Sequence, residues 1–169
     1  MDADLLKIAT YMRLISVPPQ PNATDPDVMA GEQIFKTVGC ASCHMTDTIT
    51  GANHPFVELR NQSIKPYSDL LLHDMGPDLA DNSGIAASTD PTAPAAASEW
   101  RTAPLWGIGL LTTVDPTRAT NLGLLHDGRA KTVTEAVLWH GGEASKVKAA
   151  FIALPTAQRA QLLKFLSNI

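Results

Sequence analysis

The sequence predicts an all-α domain with long loops, and three observations predict it. Several stretches space their apolar residues three or four apart, which puts them on one face of a helix. Glycine and proline stand at the ends of those stretches. No stretch alternates apolar and polar residues strongly enough to define a strand. A chain of 169 residues is long enough to fold around one core without disulfides.

Leu5, Ile8, Ala9, Met12 and Ile15 predict a first helix from Asp2 to Ser16. Val17-Pro18-Pro19-Gln20-Pro21 stops it, because proline has no amide proton and its ring clashes with the preceding turn. That run reads as a stiff linker. Asp25-Pro26 opens the next helix, with Asp25 as cap and Pro26 in the first helical position, and Gly39 ends it after Val38. Thr50 to Pro66 looks irregular. Ser68 to His73 reads as a short helix stopped by Gly76-Pro77. Gly84 to Ser98, rich in Ala, Ser, Thr and Pro, reads as a surface loop. Leu105 to Val114 reads as extended or coiled. Thr132 and Glu135 form a capping box for a helix that reaches His140 and ends at Gly141-Gly142. A last helix starts near Thr156 and carries Leu162, Leu163, Phe165, Leu166 and Ile169.

Composition excludes some functions. The formal net charge is -4 and the basic residues are scattered, so no nucleic-acid surface is expected. No apolar run approaches the ~20 residues needed to span a bilayer. Both cysteines lie in one short motif, so no disulfide framework is available. The acidic start Met1-Asp2-Ala3-Asp4 is unlike a secretory signal, which needs a basic start and an apolar stretch.

The chemistry is concentrated in Gly39-Cys40-Ala41-Ser42-Cys43-His44, a C-x-x-C-H motif. Two thiols at this spacing add across the two vinyl groups of haem, and the adjacent histidine reaches the iron. One covalent haem c on Cys40 and Cys43, with His44 as proximal ligand, is therefore expected. A thioredoxin-like dithiol would need a βαβ context, and a zinc site would need a second cysteine pair. Neither is present in the sequence. Gly31 and Phe35 sit one turn apart on the helix before the motif, placed to meet the terminal helix. This pattern resembles class I cytochromes c, whose first and last helices cross beside the haem. A class I cytochrome c-like domain with long loops follows.

Beyond that motif lie GEQIFKTVGCASCH, HPFVELRNQSIKPYSDLLLHDMGPDLADNSG, EWRTAPLWGIGL and LLHDGRAKTVTEAVLWHGGEA. These resemble the C-terminal haem domain of the di-haem thiol oxidoreductase and di-haem peroxidase family, relatives of the bacterial di-haem cytochrome c peroxidases. HDMGP and LWHGGEA are the most specific matches. The resemblance implies a longer protein with two haems, whereas this sequence has one C-x-x-C-H. Residues 1–21 would then be a terminal helix and Pro-rich linker from a preceding domain, and residues 22–169 the haem domain. The missing N-terminal haem domain and a redox donor or acceptor protein are the implied partners, and the periplasm the implied compartment.

The resemblance also points to the second iron ligand. Counting from His126-Asp127-Gly128, the methionine ligand of the peroxidase relatives falls at His140 here, which implies bis-histidine iron. Met75, in the turn Asp74-Met75-Gly76-Pro77, is the alternative. His73, His126 and His54 are read as structural or solvated. Arg101 and Arg129 are candidates to pair with haem propionates, since a guanidinium forks onto a carboxylate. Trp106 is read as haem-packing core, while Trp139 stands next to His140. The relatives hold calcium just before the HDG turn, where Asn121 and Gly123 stand here; the differing local sequence argues against calcium. No catalytic base and nucleophile pair stands out.

Electron transfer within a di-haem oxidoreductase is the expected role. Two strong ligands fill the iron's coordination sphere and leave peroxide no place. The alternatives are a peroxidase site that reduces hydrogen peroxide and a stand-alone monohaem shuttle.

Overall fold

A computed structural model describes residues 3–81 and 95–169. Helix α1 spans Ala3–Leu14, α2 Pro26–Val38, α3 Leu111–Val114, α4 Val133–Trp139, α5 Ser145–Ala153 and α6 Thr156–Leu166. Asp2 of the expected first helix and residues 84–94 of the expected loop lie outside the described residues.

Helix α2 starts and stops where local chemistry dictates. Asp25 Oδ1 accepts from the amides of Asp27 (2.8 Å) and Val28 (3.2 Å), two of the donors a helix start leaves unpaired. Gly39 closes the helix at φ 104°, a left-handed conformation open to glycine. One face of α2 packs against α6. At Gly31 a Cβ would overlap the Gln161 carbonyl oxygen and lie 2.6 Å from Phe165 Cβ, so only glycine permits this crossing. Below it Phe35, Tyr67 and Phe165 pack edge-on, with ring centres 5.4 to 6.2 Å apart. Val28, Phe151 and Leu162 complete the centre of the core. Lys164 ties the rim of the crossing to Asp25 (2.8 Å) and Asp27 (3.3 Å).

The molecule is helix-rich, but the all-α expectation needs correction. Strand β1 (Thr48–Ile49) pairs antiparallel with β2 (Ser63–Ile64), inside the stretch read as irregular. Strand β3 (Leu72–Asp74) pairs antiparallel with β4 (Glu99–Arg101), with His73 opposite Trp100. The expected helix at Ser68–His73 is therefore absent. Ser68 Oγ accepts from the Leu70 amide (2.9 Å), and Asp69 Oδ1 accepts from the Leu71 amide (2.9 Å). These local bonds compete with the helix ladder and release the chain into an extended path. Leu105 to Val114 instead coils, as a 3-10 turn at Ile108–Leu110 that runs into α3. Helix α5 escaped the sequence reading. It follows a 3-10 turn at Gly142–Ala144 and has no side-chain cap to mark its start.

Helix α1 stands apart from this core. None of its residues is buried, and Leu5, Ile8 and Met12 are exposed.

Candidate haem site

The left-handed turn at Gly39 leads directly into a 3-10 turn at Cys40–Ser42. The amides of Cys43 (3.4 Å) and His44 (2.9 Å) both donate to Cys40 O, so one compact turn gathers the two thiols and the imidazole. Burial pushes the Cys40 thiol up to about 11, and burial, Asp69 and Glu143 push Cys43 up as well. Both are protonated thiols at neutral pH.

His44 Nδ1 donates to the carbonyl of Tyr67 (2.8 Å). Tyr67 has φ 52°, which costs a residue with a Cβ on the order of 1 kcal/mol. The packing of its ring between Phe35 and Phe165 holds it there. On the other side of the site, α4 begins at the Thr132 cap, whose Oγ1 accepts from the Glu135 amide (3.1 Å). Glu135 reaches back to the amide of Lys131 (2.8 Å), one residue before the cap. The helix ends at His140, where the backbone leaves the helical path. His140 Nδ1 donates to the Ala136 carbonyl (2.7 Å).

The two imidazoles thus have the same arrangement. Each spends Nδ1 on a backbone carbonyl, which fixes the tautomer and leaves Nε2 for a metal. Their ring centres are 6.5 Å apart, with 47° between the planes. Two imidazoles on opposite faces of one iron, with metal–nitrogen bonds of about 2 Å, have ring centres roughly 6 Å apart. Burial lowers His44 to about 4, against the opposing pull of its Tyr67 bond, and burial also lowers His140. Both are neutral at pH 7, the form that ligates. Residues present at this place fit a haem iron.

A family model described as "Di-haem oxidoreductase, putative peroxidase" matches residues 4–169. The chain belongs to this family. Comparison with curated proteins and with solved structures finds no match. Membership of the di-haem oxidoreductase family points to haem-based redox chemistry. Among the described residues, no helix is long and apolar enough to cross a membrane.

The motifs that carried the resemblance meet in space. Gly76 (φ 81°) and Gly142 (φ 49°) bring the turn after β3 against the turn after His140. A Cβ at Gly141 would lie 2.8 Å from Met75 O, and one at Gly142 would overlap Asp74 O. This clasp of bare backbone sets Met75 beside the His140 segment, and the Met75 amide donates to Ser98 O (2.8 Å).

The remaining sequence candidates have other partners. Arg129 donates to Asp127 Oδ2 (2.6 Å) and Asp78 O (2.7 Å) and lies over the Trp139 ring at 4.9 Å. Arg101 is exposed on β4. Trp106 lines a cleft of about 240 Å³ under the Pro-rich linker, whose walls include neither cysteine and neither His44 nor His140. His126 lies flat on Trp100, with ring centres 3.5 Å apart, and His54 Nδ1 accepts from the Phe56 amide (3.2 Å). Asn121 Oδ1 accepts from the Gly123 amide (3.0 Å), and Arg118 donates to Leu122 O (2.8 Å).

Asp69 and His73 were not read as site residues, yet both lie beside the motif. Cys43, Asp69 and His73 offer ligand atoms within 4.8 Å of one another. His73 is not free to ligate, since Nε2 meets Asp69 (2.8 Å) and Nδ1 meets Glu143 (2.9 Å). The only hint in the sequence was HDMGP next to a run of leucines.

Proposed function

We propose that this chain is a c-type haem electron-transfer domain of a di-haem oxidoreductase. Cys40 and Cys43 anchor the haem as thioethers, and His44 and His140 ligate its iron. The observation that carries the proposal is the pair of imidazoles 6.5 Å apart, each with Nδ1 held by a backbone carbonyl. The crossing of α2 and α6 next to C-x-x-C-H supports a class I cytochrome c-like arrangement.

When bound, haem supplies one-electron transfer. The protein's share is to hold both imidazoles still. The Tyr67 and Ala136 carbonyls fix the ring orientations and raise the basicity of each Nε2. Two nitrogen ligands give a lower potential than a methionine ligand would. If His44 and His140 both held the iron, the domain would pass electrons and leave substrate no place to bind.

The partners in this reading are an N-terminal haem domain, from which residues 1–21 extend, and a donor or acceptor protein in the periplasm. The exposed apolar side chains of α1 support a missing neighbour. Peroxidase chemistry is the second reading, favoured by the family description. It requires an iron with one open axial position.

The ultraviolet–visible spectrum of the haem-loaded protein separates these. A low-spin ferric spectrum without a sulfur-to-iron charge-transfer band is expected. If that band is present, Met75 replaces His140 as the second ligand. A high-spin ferric spectrum moves the peroxidase reading to first place.

A further inference from the structure

Asp69, His73 and Glu143 form a hydrogen-bonded chain between the two halves of the haem site. At one end the Asp69 amide donates to Cys43 O (2.9 Å), inside the haem-anchoring turn. Asp69 Oδ2 meets His73 Nε2 at 2.8 Å, and the Asp69 side chain is only 7% exposed. His73 Nδ1 meets Glu143 Oε2 at 2.9 Å. At the other end Glu143 Oε1 accepts from the amide of Asp74 (3.0 Å). Both imidazole nitrogens face carboxylate oxygens, and both can be satisfied together only if both carry protons. The Glu143 bond first, and then the Asp69 bond, raise the His73 pKa in keeping with that form. His73 Nδ1 also lies 3.8 Å from Cys43 Sγ.

The position of Glu143 gives the chain its meaning. It is the first residue after His140 with a side chain that can grip anything, because Gly141 and Gly142 have none. Those glycines let the backbones touch, but backbone contact alone does not hold the segment in place. Glu143 supplies a charge-assisted bond to His73 and a second bond to β3.

We propose that Asp69–His73–Glu143 is a positioning latch that ties the segment after His140 to the haem-anchoring turn and so sets how firmly His140 holds the iron. This rests on the reading of His140 as the second ligand. His73 and Glu143 act through His140 and touch no iron themselves. A firm latch keeps outside ligands off the haem; a broken one lets His140 leave more often.

The test uses the haem-loaded chain with sodium cyanide as the outside ligand. Cyanide must wait for His140 to leave, so its binding rate reports how often that happens. His73→Gln and Glu143→Ala each remove a charge-assisted bond, and cyanide should bind roughly tenfold faster or more. Glu143→Gln keeps one acceptor oxygen and loses the charge, so it should give a rate between those of the wild type and Glu143→Ala. Amide exchange at Gly142 and Glu143 should speed up most in the first two variants. Glu143 is more than half exposed on its side chain, so Glu143→Ala should fold even if His73→Gln does not. Unchanged cyanide rates in Glu143→Ala overturn the latch. Faster amide exchange with unchanged cyanide rates also overturns it, since the chain would then be structural only. His140→Ala runs alongside: if its ferric spectrum equals the wild type's, the ligand assignment itself has failed.

Discussion

What suits His44 and His140 to the proposed role of iron ligands is what their other nitrogens do. An imidazole with Nδ1 on a carbonyl presents Nε2 with its lone pair free. For His140 the acceptor is Ala136, one helical turn back, so any helix ending there supplies it. For His44 the acceptor is Tyr67, distant in sequence and held at φ 52° by core packing. His140→Ala is expected to turn a low-spin ferric haem into a high-spin one, read from the visible spectrum. Cys43→Ser is expected to leave one thioether at Cys40, and a pyridine haemochrome spectrum should then shift to longer wavelength. Loss of all covalent haem in that variant would mean that Cys40 alone does not anchor it. The thiols and His44 were legible because they are contiguous. The roles of Tyr67, Asp69 and His73 were not, because each depends on a partner far along the chain.

Helix α2 and its crossing with α6 show what local sequence can and cannot say. Asp25, Pro26 and Gly39 mark the ends of α2, since each acts on its own neighbours in the chain. Gly31 is different, because its value comes from Gln161 and Phe165 on the other helix. Gly31→Ala is expected to lower stability by about 3 kcal/mol through overpacking, measured by denaturant unfolding. The charges at the rim give a pH prediction. Lys164's hydrogen bond is the main force that lowers the Asp25 pKa, and Gln161's is the main one for Asp27. A carboxyl lowered in the folded state adds stability above its unfolded pKa and loses it as pH falls through the folded one. Stability should therefore drop below about pH 4. Asp25→Asn keeps the helix cap but removes the charge, so its acid drop should be shallower in thermal unfolding. The failed helix at Ser68–His73 belongs to the same scale. Ser68 and Asp69 bond to amides two residues ahead, and a spacing pattern of leucines does not reveal that competition.

Among the described residues, the molecule has one aromatic core, and helix α1 does not join it. Replacing Leu5, Ile8 and Met12 of α1 together by Ser should change unfolding stability by no more than about 0.5 kcal/mol, since none of them is buried. A larger loss would show that α1 packs onto the domain after all. Local sequence sufficed to read the C-x-x-C-H motif, the family, the start and end of α2, the cap of α4 and the helix-rich class. All of these rest on residues that act on near neighbours. The folded chain was needed to show that β3 replaces a helix, that two glycine-bearing turns clasp, and that the His140 and His44 ring centres stand 6.5 Å apart. Those depend on contacts between distant segments. Such contacts form only when core packing outweighs the entropy lost in closing the loops between them.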